Sequence, residues 1–138
     1  MSSSVYYEDA AKAIDWIVRA FGFELRLKVE GADGRIEHSE LTFGGGLIMV
    51  GDAAKATERN GAVRASPQQV GGANTQQMCV HVDDVDAHCA RARAAGAKIT
   101  REPTTTDYGE EYWTDRSYEA QDLEGHRWFF MQRLRPVE

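Results

Sequence analysis

The feature that most constrains this chain is that it repeats itself. In VYYEDAAKAIDWIVRAFGFE an extended stretch runs to Asp9, a helical pattern follows, and Gly22 closes it before a strand begins at Phe23. MCVHVDDVDAHCARARAAGAKI has the same order, with Asp84 and Gly96 in the corresponding places. Each aspartate suits a helix N-cap, where its carboxylate accepts from the first free N–H groups at the positive end of the dipole. Each glycine supplies the left-handed residue that ends a helix. Ala10, Ala13, Ile14, Ile17 and Phe21 form one apolar stripe at helical spacing, and Val85, Cys89, Ala92 and Ala95 form a thinner one. Both helices therefore call for a sheet beneath them.

Three strands follow each helix. ELRLKVE, RIEHSELTF and LIMVG come after the first, with turns at Asp33-Gly34 and Gly44-Gly45-Gly46; KITREP, RSYEAQD and HRWFFMQ come after the second. TTTDYGEEYWTD reads as a long loop and Leu123-Glu124-Gly125 as a tight turn. The expectation is an α+β fold of two βαβββ modules, residues 1–52 and 76–135, within one domain spanning 1–138. Residues 53–75, rich in Ala, Gln, Gly and Asn, read as a linker.

At 138 residues, one core is large enough to need no staple. No apolar run approaches the roughly 20 residues of a membrane span. The start MSSSVYYED has neither a basic leader nor an apolar stretch, which predicts a cytoplasmic protein whose Cys79 and Cys89 are free thiols. A formal charge of −6 with scattered Lys and Arg argues against nucleic acid. An acidic surface is compatible with a cationic ligand.

The blocks DAAKAIDWIVRAFGFE, HSELTFGGGLIMVGD, VHVDDVDAHCARARAAGA and YEAQDLEGHRWFF, in that order, resemble the glyoxalase/bleomycin resistance protein/dioxygenase (vicinal oxygen chelate) superfamily, and within it the PhnB-like glyoxalase-related subgroup. The resemblance covers nearly the whole chain. It implies that each module curls a mixed sheet into half a cup, with the helices outside and a ligand inside. It also implies a homodimer.

Strand alternation then sorts the side chains. Met78, Val80 and Val82 belong under the helix, leaving Gln77, Cys79 and His81 toward the cup. Trp128 and Phe130 go under the helix, leaving Arg127, Phe129 and Met131 inward. His38, Glu40 and Thr42, Leu47 and Met49, and Ser2, Ser4 and Tyr6 complete the inward set.

Metal-using members of the superfamily hold their ion with His, Gln or Glu from the first, fourth, fifth and eighth strands. The resemblance places Ser2 or a neighbour, Met49, Gln77 and Phe129 there, and only Gln77 suits a divalent ion. No cofactor and no ordinary metal site are expected. The fallback is a displaced divalent-metal site of His38, Glu40 and His81, weighed against a plain hydrogen-bonded pair of His38 with Glu40.

His81 and Glu40 are the candidate catalytic acid–base groups, and His88 reads as structural. Arg127 and Arg26 can pair either with a ligand carboxylate or with Glu40. Tyr108, Tyr112 and Trp113 offer stacking surfaces in the long loop. His126 is expected to close its turn outside ligand range.

The resulting reading is a small-molecule-binding protein that holds an organic ligand, such as an antibiotic, between Tyr6, His38, Met49, Gln77, Tyr108, Trp113, Arg127 and Phe129. The alternatives are a metal-dependent lyase or dioxygenase of the same superfamily, and a metal-free proton-transfer isomerase or lyase.

Overall fold

The computed structural model describes residues 1–135. Its elements run β1 (Ser3–Tyr7), α1 (Ala10–Phe21), β2 (Glu24–Glu30), β3 (Ile36–Phe43), β4 (Gly46–Asp52), α2 (Ala53–Asn60), a short 3-10 turn (Pro67–Val70), β5 (Gln77–His81), α3 (Val85–Ala94), β6 (Lys98–Asp107), β7 (Thr114–Gln121) and β8 (Arg127–Arg135). Asp9 and Asp84 cap α1 and α3 as their positions demand, accepting from the backbone N–H groups of Lys12 and Ala87. Gly22 ends α1 with φ 78°.

Each module forms a four-stranded mixed sheet, in the orders β1-β4-β3-β2 and β5-β8-β7-β6. The strand before each helix pairs in parallel with the module's last strand, and the remaining pairs are antiparallel. Alternation holds on β1, β4, β7 and β8: Val5, Tyr7, Ile48 and Val50 are buried in the first sheet, and Trp128, Phe130, Tyr118 and Ala120 in the second. The fold is the α+β pair of βαβββ modules that the repeat requires.

The two modules share one core. Phe21, at the end of α1, packs against Trp128 and Phe130 of β8 with ring centroids 4.9 and 4.8 Å away. The indole of Trp16 donates to the carbonyl of Ala95 beyond α3. His88 on α3 bridges the modules: one ring nitrogen lies 2.8 Å from the Phe21 carbonyl and the other 2.6 Å from the Tyr118 hydroxyl. Its structural role is as the sequence predicts.

Two segments differ from the sequence reading. The linker is structured, carrying α2 and the 3-10 turn. Alanine at 53, 54 and 56 favours helix, and burial of Ala53 and Ala56 gives that helix a tertiary anchor. The long loop is shorter than expected, because Thr104, Thr105 and Thr106 pair with Ser117, Arg116 and Asp115 and extend β6 to Asp107. Threonine suits a pleated strand, and Pro103 is tolerated because β6 is an edge. Among the described residues no helix is long and apolar enough to cross a membrane.

The turn before β8 ties the modules together. Buried Asp122 accepts from the Tyr7 hydroxyl at 2.5 Å, from the Trp128 indole at 3.0 Å, and from the backbone N–H groups of Glu124 and His126. Burial, and then the Asp122 carboxylate, push the Tyr7 phenol well above its ordinary range. Asp122→Ala strands these donors in the core and should destabilise the protein by about 3–5 kcal/mol. A urea titration checks this as a lower midpoint at unchanged slope.

Burial lowers the pKa of His88, with Arg91 adding to the effect and the Phe21 carbonyl opposing it. The unfolded chain therefore takes up this proton first as pH falls below the ordinary imidazole value of about 6.5. The stability contribution is complete above that pH and is lost as pH falls toward the lower folded value. The melting temperature should drop between pH 7 and pH 5, and His88→Gln should flatten that part of the profile.

Candidate binding groove and sheet faces

Strand β5 pairs only with β8, so its other edge is open. The Gln76 side chain spans the gap to β1, accepting from the Ser3 hydroxyl and donating to the Ser4 carbonyl. Beside it lies a groove of about 770 Å³. Gln77 to His81 form one wall, and Phe23, Phe43 and the β3–β4 hairpin as far as Ile48 form the other. The volume suits a small organic molecule. Gln77, Cys79 and His81 are exposed along this wall, while Met78 is buried and Val80 half-buried. Among the described residues no Asp or Glu lines the groove.

The faces of the sheets turned away from the core carry ionic clusters. On the first, Arg26 Nη1 lies 3.0 Å from Glu40 Oε1, and His38 Nε2 lies 3.0 Å from Glu40 Oε2. The His38–Glu40 pair is thus hydrogen-bonded, and Glu40 is also held by Arg26. On the second, Glu119 accepts from Gln77 Nε2 at 2.9 Å and faces Arg101 Nε at 3.3 Å. Arg101 also donates to Ser117 Oγ and lies over the Phe129 ring, 5.6 Å from its centroid.

The second cluster repeats the first, arginine on the edge strand to glutamate on its neighbour. In both modules the arginine stands at a register irregularity, between Leu25 and Leu27 and again after Ile99. Sequence reasoning missed Arg101, Ser117 and Glu119. Alternation along RSYEAQD places Ser117 and Glu119 on this face, whereas the irregularity at Arg101 breaks the two-residue period that would place it. The same effect sets Leu27 and Val29 opposite Glu40 and His38, on the outward face.

The strand register shows which residues occupy equivalent places in the two modules. Ser4 stands beside Met49, and Cys79 beside Phe129, while Gln77 pairs with Arg127. Neither the Met49 thioether nor the Phe129 ring suits a divalent ion that must keep open positions for substrate oxygens. Gln77 is committed to Glu119. The structure does not gather His38, Glu40 and His81 within one chain: among the described residues no group of three His, Cys, Asp or Glu side chains is placed to hold a metal.

The other candidates are dispersed. Tyr6 lines a separate cavity beneath the inter-module segment. His38, Glu40, Met49, Arg127 and Phe129 line neither cavity. Tyr108, Tyr112 and Trp113 form the β6–β7 hairpin tip; the two tyrosines are exposed, and Trp113 is fixed by Asp115 and by Arg133 over its ring. Cys79 and Cys89 are free thiols, Cys79 exposed and Cys89 buried. His126 is buried at its turn, with Nε2 2.7 Å from the Tyr6 carbonyl, so it closes the turn against β1.

Comparison with known proteins agrees with this architecture. TioX from Micromonospora sp. ML1 is similar at 38% identity and a TM-score of 0.73, over 97% of this chain and 98% of TioX. TnmS3, an antibiotic binding protein from Streptomyces sp. CB03234, is similar in fold at 23% identity and a TM-score of 0.67, over 96% of this chain and 93% of its own. An uncharacterised Mycobacterium bovis protein, Mb0911c, is 32% identical over 99% of this chain and 85% of its own length. The sequence model of the Glyoxalase/Bleomycin resistance protein/Dioxygenase superfamily matches residues 3–130, and the chain belongs to that family.

Proposed function

We propose that this protein binds a small organic molecule with a largely apolar body in the groove beside β5, without the metal centre used by catalytic relatives, and that it acts as a cytoplasmic homodimer of the PhnB-like subgroup. The observation that carries the reading is the groove itself. Phe23, Phe43, Ile48 and Val80 offer apolar walls, and the polar edge of Gln77, Cys79 and His81 offers hydrogen bonds to orient a ligand. The description of TnmS3 as an antibiotic binding protein makes an antibiotic a reasonable first ligand to test.

The sheet-face acids favour binding over proton transfer. Glu40 is held by Arg26 and His38, and Glu119 by Arg101 and Gln77, so each carboxylate is already engaged with partners.

Dimerisation is supported by the edge strand β2, whose Leu25, Leu27 and Val29 are 43%, 42% and 43% exposed. A row of half-exposed apolar residues on an unpaired strand edge is a surface that a partner would cover. Leu27 and Val29 also share a face with Glu40 and His38, so the partner would extend the polar face into a walled site.

Isothermal titration against a panel of small antibiotics with flat apolar ring systems should find a saturable ligand, and Leu47→Glu should weaken it by about tenfold or more. Protein purified without chelator should carry well below one metal ion per chain, and EDTA should leave affinity unchanged. Stoichiometric metal, or affinity that EDTA abolishes, would favour the displaced-metal enzyme. Glu40→Gln should leave affinity nearly unchanged; loss of a measured turnover in that variant would favour the isomerase or lyase. Leu27→Glu should convert a dimer to a monomer in sedimentation velocity runs.

A further inference from the structure

A second cavity, of about 450 Å³, opens over the outward face of β1, with the segment between the modules as its roof. That roof is built in place. Arg64 N–H donates to Thr57 Oγ1, Gln68 N–H to the Glu124 carbonyl, and Asn74 Nδ2 to the Gly125 carbonyl, while Asn74 Oδ1 accepts from Arg127 N–H. Ser66 and Gln69 close the turn between these anchors through the Ser66 N–H bond to Gln69 Oε1. Gly125 has φ 92°, and a Cβ there would stand 3.2 Å from Pro67 Cβ, so the roof lies directly on the β7–β8 turn. A cavity held open in this way spares a ligand the cost of ordering its site.

The chemistry inside is one-sided. The chain carries an excess of acids, yet among the described residues no Asp or Glu lines this cavity. Arg64 does, with its guanidinium 5.7 Å from the Tyr6 ring centroid. Among the described residues its side chain makes one hydrogen bond, from Nη1 to the Ala62 carbonyl, and no ion pair. Most arginines on the two sheet faces are used differently: Arg26, Arg101 and Arg116 each meet a carboxylate. A guanidinium stacked on an aromatic ring keeps its in-plane N–H groups available for a bidentate acceptor. Val63, Pro67, Val70 and Ala73 provide an apolar wall, and Ser4, Asn74 and Gln76 provide neutral hydrogen-bonding groups.

We propose that this cavity is a binding site for a monoanion, a carboxylate carried on an apolar body, with Arg64 as its charge partner. His126 also lines the cavity, but its Nε2 is engaged with the Tyr6 carbonyl at 2.7 Å, so Arg64 is the charge that matches a single negative group. A phosphate dianion would leave half its charge unmatched. The site adjoins the groove beside β5 at Gln76, which lines both, but its charge partner Arg64 does not line that groove.

The experiment is an NMR titration of the ¹⁵N-labelled full chain with sodium octanoate and, in parallel, with 1-octanol. Octanoate should shift the amide signals of Tyr6, Arg64 and Asn74 and bind more tightly than the alcohol. Arg64→Gln should weaken octanoate by about tenfold or more, leave 1-octanol unchanged, and keep the wild-type melting temperature. Arg64→Lys should fall between the two, because it keeps the charge and loses the bidentate fork. If Arg64→Gln misfolds, Tyr6→Leu removes the stack from the other side and should weaken octanoate alone. Equal affinity for acid and alcohol, an Arg64→Gln variant that binds octanoate like wild type, or shifts confined to the β5 groove would overturn the proposal.

Discussion

The arrangement of the two modules depends on a pair of carboxylates in one turn. Asp122 collects two side-chain donors and two backbone N–H groups, one of the side-chain donors from β1 of the other module. Glu124, two residues on, accepts from the backbone N–H groups of Glu8 and Asp9 at the start of α1. A buried carboxylate is costly unless its lone pairs are filled, so these contacts act together. Asp52 does the same within the first module, accepting from Ala10 and Ile36. Through these three acids β1 and α1 are seated against the second module, and α1 meets α3 across a common core.

That seating has a consequence for the site. With the helix-covered faces of both sheets spent on one core, the faces bearing Arg26–Glu40 and Arg101–Glu119 are turned outward. The groove beside β5 forms where the modules meet at their edges, and the second cavity forms where the connecting segment crosses β1. Candidate residues that strand alternation assigns to a single cup are therefore distributed over several surfaces of one chain. The repeated Arg–Glu pair indicates that both modules keep the same polar device.

Much of the fold was legible because its signals are local. Asp9 and Asp84 cap their helices, Gly22 ends the first, and Val5, Val50, Trp128 and Phe130 fall on the core side by simple parity. Legibility failed where a local signal was ambiguous or interrupted. Residues 53–75 read as a linker, and the helix over 53–60 emerges only with the burial of Ala53 and Ala56. Threonines 104–106 read as loop until β7 supplies partners. A register shift hid Arg101, and a one-sided choice of strands hid Glu119.

By itself, the sequence determined the βαβββ repeat, the capped helices and the core face of the strands beneath them. These follow from chain-local chemistry: helical and strand periods and capping carboxylates. Only the tertiary structure decided which side chains meet. It tied Glu40 to Arg26 and His38, placed Tyr6 and His81 in different cavities, folded the connecting segment into a roof, and left Arg64 facing a cavity that no acid among the described residues lines. Those outcomes depend on how the modules dock through Asp122 and Glu124, a contact spanning more than a hundred residues of chain that no local pattern encodes.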